Sequence, residues 1–204
     1  MLPVENYPAI NMQKTIAKEQ LQYIVENSPN LTEATRQVYL KRLTTPRKEQ
    51  PEFFSEAEFR ILIAVSDRLI SQDESADTVD LPGLLDTSIA SGEGDGWRYD
   101  EMPEDKTALR TGLANINASS EKLNNLSFSA LASEKQDELL TKIQSGEITW
   151  NNLNAARFFE ELLARLTEIY YSHPITRMSI NDQSGFDLPG WKDIGLSQTE
   201  REDR

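Results

Sequence analysis

The stretch PEFFSEAEFRILIAVSDRLI, residues 51–70, decides the fold class. Ser55 and Glu58, three residues apart, form a capping box: the Ser55 hydroxyl accepts from the Glu58 amide, and the Glu58 carboxylate accepts from the Ser55 amide. Phe54 precedes the cap and Phe59 is the fourth helical residue, the spacing of a hydrophobic staple. Within the helix, Phe59, Leu62, Ile63, Leu69 and Ile70 make one apolar stripe, which Ile61 and Val65 widen. A helix apolar on most of its circumference belongs in the middle of a bundle.

Working outward from this element, the remaining periodicities are also helical. Upstream, residues 1–11 read as an extended arm with Pro3 and Pro8. A first helix is expected from about Met12 to Glu26, with Ile16, Tyr23 and Ile24 on one side. A second runs from the N-cap Thr32 to Leu43 and carries Val38, Tyr39 and Leu43. The basic residues of these two helices can fold back over an acidic surface. Downstream, Leu81, Leu84, Leu85 and Ile89 mark a short helix starting near Asp80, with Pro82 tolerated in its first turn. A helix from about Glu104 to Ala118 presents Leu109, Leu113 and Ile116. Ser133 with Gln136 makes a second capping box, opening a helix with Leu139, Leu140 and Ile143, and Gly146 fits its C-terminus. The last long helix, about Leu153 to Tyr171, carries Phe158, Phe159, Leu162, Leu163, Leu166, Ile169 and Tyr170, and His173-Pro174 stops it. The chain holds no convincing strand. The expected architecture is all-α: an irregular helical bundle with an extended C-terminal segment. Residues 1–50 form an N-terminal helical extension, and residues 51–204 form the main domain.

Composition excludes several functions. The 204 residues include no cysteine and carry a net charge of −13. Disulfides, thiolate metal sites and iron–sulfur clusters are therefore ruled out. Sequence-independent nucleic-acid binding and docking on anionic lipid both need a basic face, which this balance does not supply. The charge is uneven. Residues 71–105 hold eleven acids against Arg98 alone, whereas residues 1–50 are slightly basic. No run approaches the roughly 20 apolar residues of a membrane span, so no direct membrane insertion is expected. The N-terminus shows neither a secretory pattern nor a twin-arginine pair, so the chain is expected in the cytoplasm, or in the periplasm if a signal-bearing partner exports it.

Candidate chemistry is sparse. His173 is the sole histidine and reads as a C-terminal capping or solvent-facing residue. Gly92, Gly94 and Gly96 form a loop; Glu93 and Asp95 would repel a phosphate. Asp73, Glu74, Asp77 and Asp80 miss the spacing of a helix-loop-helix calcium site and read as a solvated acidic loop, suited to electrostatic docking on a basic partner. Glu160 and Glu161 point about 100° apart on a helix and do not form an acid/base pair. No catalytic, cofactor-binding or metal-ligating residue is assigned. By contrast, residues 175–196 lose all periodicity yet carry Phe186, Leu188, Trp191, Ile194 and Leu196. Pro189-Gly190 places a turn directly before Trp191. These five residues are the candidate partner-binding anchors, because aromatic side chains held rigidly in an irregular strip are frequent interface hot spots.

Four segments, in order, resemble one family. They are FFSEAEFRILIAVSDRLI (53–70), FSALASEKQDELL (128–140), ARFFEELLARLTEIYYSHP (156–174) and GWKDIGL (190–196). Together they look like the small subunit, subunit 3 or gamma, of gluconate 2-dehydrogenase-type enzymes, over about residues 53–196. The resemblance implies a non-catalytic, chaperone-like bacterial subunit. Its partner would be a catalytic subunit of the glucose-methanol-choline oxidoreductase family. That partner holds FAD and oxidises a sugar such as gluconate, glucose or a glucoside (glucoside 3-dehydrogenase types). A heterodimer or larger complex follows, with a cytochrome as a further subunit in some systems. The alternative is a free-standing helical interaction module without a redox partner. Two features depart from the family: about fifty residues of helix stand where a twin-arginine signal is frequent, and ITRMSINDQSGFD (175–187) replaces a Tyr-Gly-Gly-Asn-like turn.

Overall fold

The computed structural model describes residues 18–29, 31–73, 77–92 and 102–180. These residues form eight α-helices, one 3-10 turn and no strand, so the fold is all-α. The helices are α1 (Lys18–Asn27), α2 (Glu33–Thr44), α3 (Glu56–Leu69), α4 (Leu81–Ser91), α5 (Asp105–Asn124), α6 (Ser133–Gln144), α7 (Ala155–Ser172) and α8 (Pro174–Ser179). The 3-10 turn, Phe128–Ala130, lies between α5 and α6.

α3 is the centre of the bundle and packs against α4, α5, α6 and the 3-10 turn. Its N-terminus forms as its sequence dictates. The Ser55–Glu58 capping box is closed on both sides, and the staple residues Phe54 and Phe59 are both buried in the main core. The buried face is Phe59, Leu62, Val65 and Ser66 with Ile61, while Ile63, Leu69 and Ile70 are only partly covered. The expected stripe is therefore rotated toward Val65. α7 closes the opposite side against α4, α5 and α6, burying Phe158, Phe159, Leu162 and Leu166. Phe158 lies directly on the α5 backbone. A β-carbon at Gly112 would sit 2.1 Å from its ring, so a glycine is required there for the two helices to approach. Trp150 flanks the same ring at 5.9 Å and donates its indole N–H to Ser119 Oγ at 3.1 Å. A two-pronged Arg68–Asp137 pair, both bonds 2.7 Å, ties α3 to α6 at the surface.

The second capping box does not form. α6 starts one residue early with Ala132 as its N-cap and no side-chain cap bond. Ser133 is already helical, and Gln136 points inward, where its amide donates to the Phe128 carbonyl at 3.0 Å. A buried carbonyl at the 3-10 turn needs a donor more than the α6 terminus needs a reciprocal cap. Gly146 does terminate α6, with φ +78.

The N-terminal helices present other faces than their sequence suggests. α1 buries Leu21 and Val25 and leaves Tyr23 68% exposed. α2 begins at the expected N-cap Thr32 and buries Tyr39 and Leu43, but Val38 is exposed. With Leu31 they make a small cluster separate from the main core. The described residues that follow α7 are helical as well. Pro174 supplies the first residue of α8, which packs on both α7 and α2.

Candidate functional site

Asp86 organises the entrance to the bundle. It stands on α4, is 0% exposed, and collects four donors. Its carboxylate accepts from the amides of Glu52 (2.7 Å), Phe53 (3.0 Å) and Phe54 (3.0 Å) and from Lys48 Nζ (2.8 Å). Burial alone would raise its pKa, but the Glu52 amide, Lys48 and the Phe54 and Phe53 amides outweigh that and hold it below the ordinary carboxylate value. Lys48 is correspondingly raised: burial works against its charge, and Asp86 and Glu52 more than compensate. The residues leading into the capping box are thus fixed by one buried carboxylate.

Two more acids of this stretch, Asp80 and Asp77, also accept from backbone amides. Asp80 caps α4 by accepting from the Gly83 amide at 3.2 Å and also accepts from the Lys48 amide at 2.7 Å. Asp77 accepts from the Lys18 amide at 2.7 Å. The reading of a uniformly solvated acidic loop is therefore corrected for Asp80, whose side chain is 17% exposed, while Asp73 and Asp77 are exposed. The basic side chains that meet this acidic face are Lys48 and Arg47, which follow α2, whereas Arg36 and Arg42 of α2 donate to backbone carbonyls, so the expectation that the basic residues of the two helices cover the acidic surface is not met by these two.

His173 is not solvent-facing. It is 4% exposed and serves as both the last cap of α7 and the N-cap of α8. Its Nδ1 accepts from the Ile175 amide at 3.3 Å, so the ring proton is on Nε2, which donates to the Arg42 carbonyl at 3.4 Å. Burial, partly opposed by that carbonyl and reinforced by the charges of Arg42 and Lys18, lowers its pKa to about 4. With both nitrogens committed to the backbone, this imidazole is a joint between helices, not a free base.

Other candidate groups also have local duties. Gly92 takes φ +74 at the C-terminus of α4, a helix stop and not a phosphate cradle. Glu160 pairs with Arg157 at 2.7 Å. Glu161 borders a shallow groove with Met102, Leu109, Phe158 and Arg165, where Arg165 is held by Asp105 at 2.6 Å. The buried hydroxyls of Ser66 and Thr176 have no hydrogen-bond partner among the described residues, so neither is coupled to a base there. No group of three His, Asp or Glu side chains is placed to hold a metal among the described residues, and no described helix is long and apolar enough to cross a membrane.

The five candidate anchors, Phe186, Leu188, Trp191, Ile194 and Leu196, lie outside the described residues. Among the described ones, the large apolar side chains left in water are Tyr23, Val38, Leu123, Leu126, Tyr171 and Ile180. Leu123 and Leu126 flank Asn125, which ends α5 with φ 57. Sequence periodicity gave no sign of them as a surface feature, because they fall just beyond the expected end of that helix.

The architecture so far is that of a helical protein whose polar groups serve to join its own elements. The family model for gluconate 2-dehydrogenase subunit 3 matches residues 56–192, and the chain belongs to that family. The match begins on the first residue of α3 and takes in every helix through α8. No curated protein and no solved structure matches the chain.

Proposed function

We propose that this chain is a non-catalytic subunit that binds, stabilises and helps mature the FAD-containing catalytic subunit of a sugar dehydrogenase. The observation that carries this reading is the family match over residues 56–192, a family of dehydrogenase subunits. The use of the internal polar groups supports it. Asp86 and Asp80 are consumed in holding residues 48–54 to α4, and His173 in joining α7, α8 and α2. On this reading FAD and the electron chemistry belong to the partner, and this chain contributes shape and contact area. The partner would be a flavoprotein of the glucose-methanol-choline type, in a heterodimer or larger complex.

The contact surface assigned here includes the 175–196 strip, with Trp191 and Phe186 as its anchors. Truncating a buried aromatic hot spot costs about 2 kcal/mol or more, roughly thirtyfold in affinity. Trp191→Ala is therefore expected to lose most of its co-purification with the catalytic subunit while keeping a wild-type helical spectrum. A normally folded variant that still binds with undiminished affinity would remove Trp191 from the interface.

A further inference from the structure

The α1–α2 hairpin meets the rest of the molecule in an unusual manner. Among the described residues its apolar cluster holds five buried side chains, Leu21, Val25, Leu31, Tyr39 and Leu43, against twenty-five in the main core. Ile175 of α8 is the partly buried side chain that packs against both clusters. α1 packs chiefly on α2, and α2 reaches the bundle through α8. The hairpin is therefore seated on a six-residue helix, not on the central helices.

Both sides of this seat have proline joints. On one side, α2 ends at Thr44, Pro46 follows, and Lys48 is then pinned to Asp86 in the main core. On the other, α7 ends at Ser172 and Pro174 starts α8 after His173. Between the joints, two polar clasps tie α2 to the end of α7: Arg42 Nη1 donates to the Ser172 carbonyl at 2.6 Å, and His173 Nε2 donates to the Arg42 carbonyl. Arg177 Nη1 donates to Tyr39 Oη at 3.1 Å and holds α8 to α2. A third tie to the rest of the chain, from the Lys18 amide to Asp77, holds the start of α1. One feature works against closure: the hydroxyl of Thr176, on α8, is buried at 2% residue exposure with no hydrogen-bond partner among the described residues. A buried hydroxyl that has given up water without a replacement favours the open state.

We infer that α1, α2 and α8 form a latch, a unit that opens from the family bundle as one piece while α3–α7 stay folded, and that its closure fixes where α8 is held. Local unfolding of this kind is drawn from elements with small apolar contacts and few ties, which describes this hairpin and not α3 or α7. Lys48 and Asp86 are the fixed foot, and Arg42 is the main clasp.

The test uses the full chain alone and needs no partner. Native-state hydrogen–deuterium exchange is measured on wild type, Arg42→Ala and Thr176→Val. Arg42→Ala is expected to speed exchange at the α1, α2 and α8 amides tenfold or more, with the α3, α5 and α7 amides changing less than twofold. Thr176→Val, which removes the unpaired hydroxyl at nearly constant volume, is expected to slow the same three helices severalfold. Uniform shifts across all helices would show one cooperative unit and overturn the latch. So would α1 and α2 amides that exchange as slowly as those of α7 and respond to neither substitution.

Discussion

At the scale of single residues, the molecule depends on two buried ionisable groups whose partners are far apart in sequence. Asp86 joins residues 48–54 to α4 with four donors. Replacing it with alanine would leave the three amides without their acceptor and Lys48 with only Glu52 and Thr87, a loss of about 3–5 kcal/mol by analogy with broken buried pairs. Chemical denaturation of Asp86→Ala should show a drop of that size; a change below 1 kcal/mol would mean water replaces the carboxylate at no cost. His173 makes a prediction in pH. Unfolded, its imidazole gains a proton as the pH falls through 6.5, and folded it resists until about 4. The unfolded state binds more protons across that interval, so stability rises with pH. The contribution is complete above pH 6.5 and about 3 kcal/mol of it is lost between 6.5 and 4. Asp86, with its lowered pKa, acts in a lower window: its contribution is present above its unfolded value and lost as the pH falls beneath it. His173→Asn keeps an acceptor to cap α8 and cannot titrate. Its stability should decline less than the wild type's between pH 6.5 and 4, the remaining decline coming from carboxylates such as Glu138, held at about 2, and an identical decline in both would assign the effect elsewhere. Neither group could be read from the sequence as buried. Asp86 sat among ten other acids, and the Arg42 carbonyl that meets His173 is 131 positions away.

At the scale of elements, local signals succeeded where the deciding interaction is itself local. Ser55–Glu58 and Thr32 cap the helices expected of them, because each bond spans three residues; Asp80, read from the sequence as a solvated acid, caps α4 over the same spacing. Ser133–Gln136 has the same spacing, yet the Phe128 carbonyl claims Gln136. The two serines should therefore behave differently. Ser55→Ala should cost about 1 kcal/mol, while Ser133→Ala should be near neutral, and thermal melts of the two variants check this; equal losses would restore the second box. α3 buries most of its expected stripe, with Ile63, Leu69 and Ile70 at its margin, whereas the buried face of α1 differs from its sequence pattern. Tyr23 is apolar enough to count in a stripe, but Leu21 and Val25 are the residues that α2 and α8 leave room for. α8 escaped notice because six residues are too short to show a period.

At the scale of the whole molecule, the all-α class and the central place of residues 56–69 were legible, since a helix apolar on most sides has nowhere else to go. The candidate docking strip was legible only as composition, and its five anchors fall beyond the described residues. What the structure adds is the wiring that links the N-terminal hairpin to α8 and the main core. Membership of the gluconate 2-dehydrogenase subunit 3 family makes the chain one part of a dehydrogenase assembly. We propose that it serves a flavoprotein instead of holding flavin itself. The direct measurement is FAD bound per catalytic subunit, read by absorbance after that subunit is produced with and without this chain. A flavin-loaded, co-eluting complex is expected when both are present, and a poorly loaded catalytic subunit when this chain is missing. Full flavin loading and sugar oxidation by the catalytic subunit alone, or FAD held tightly by this chain in isolation, would contradict it.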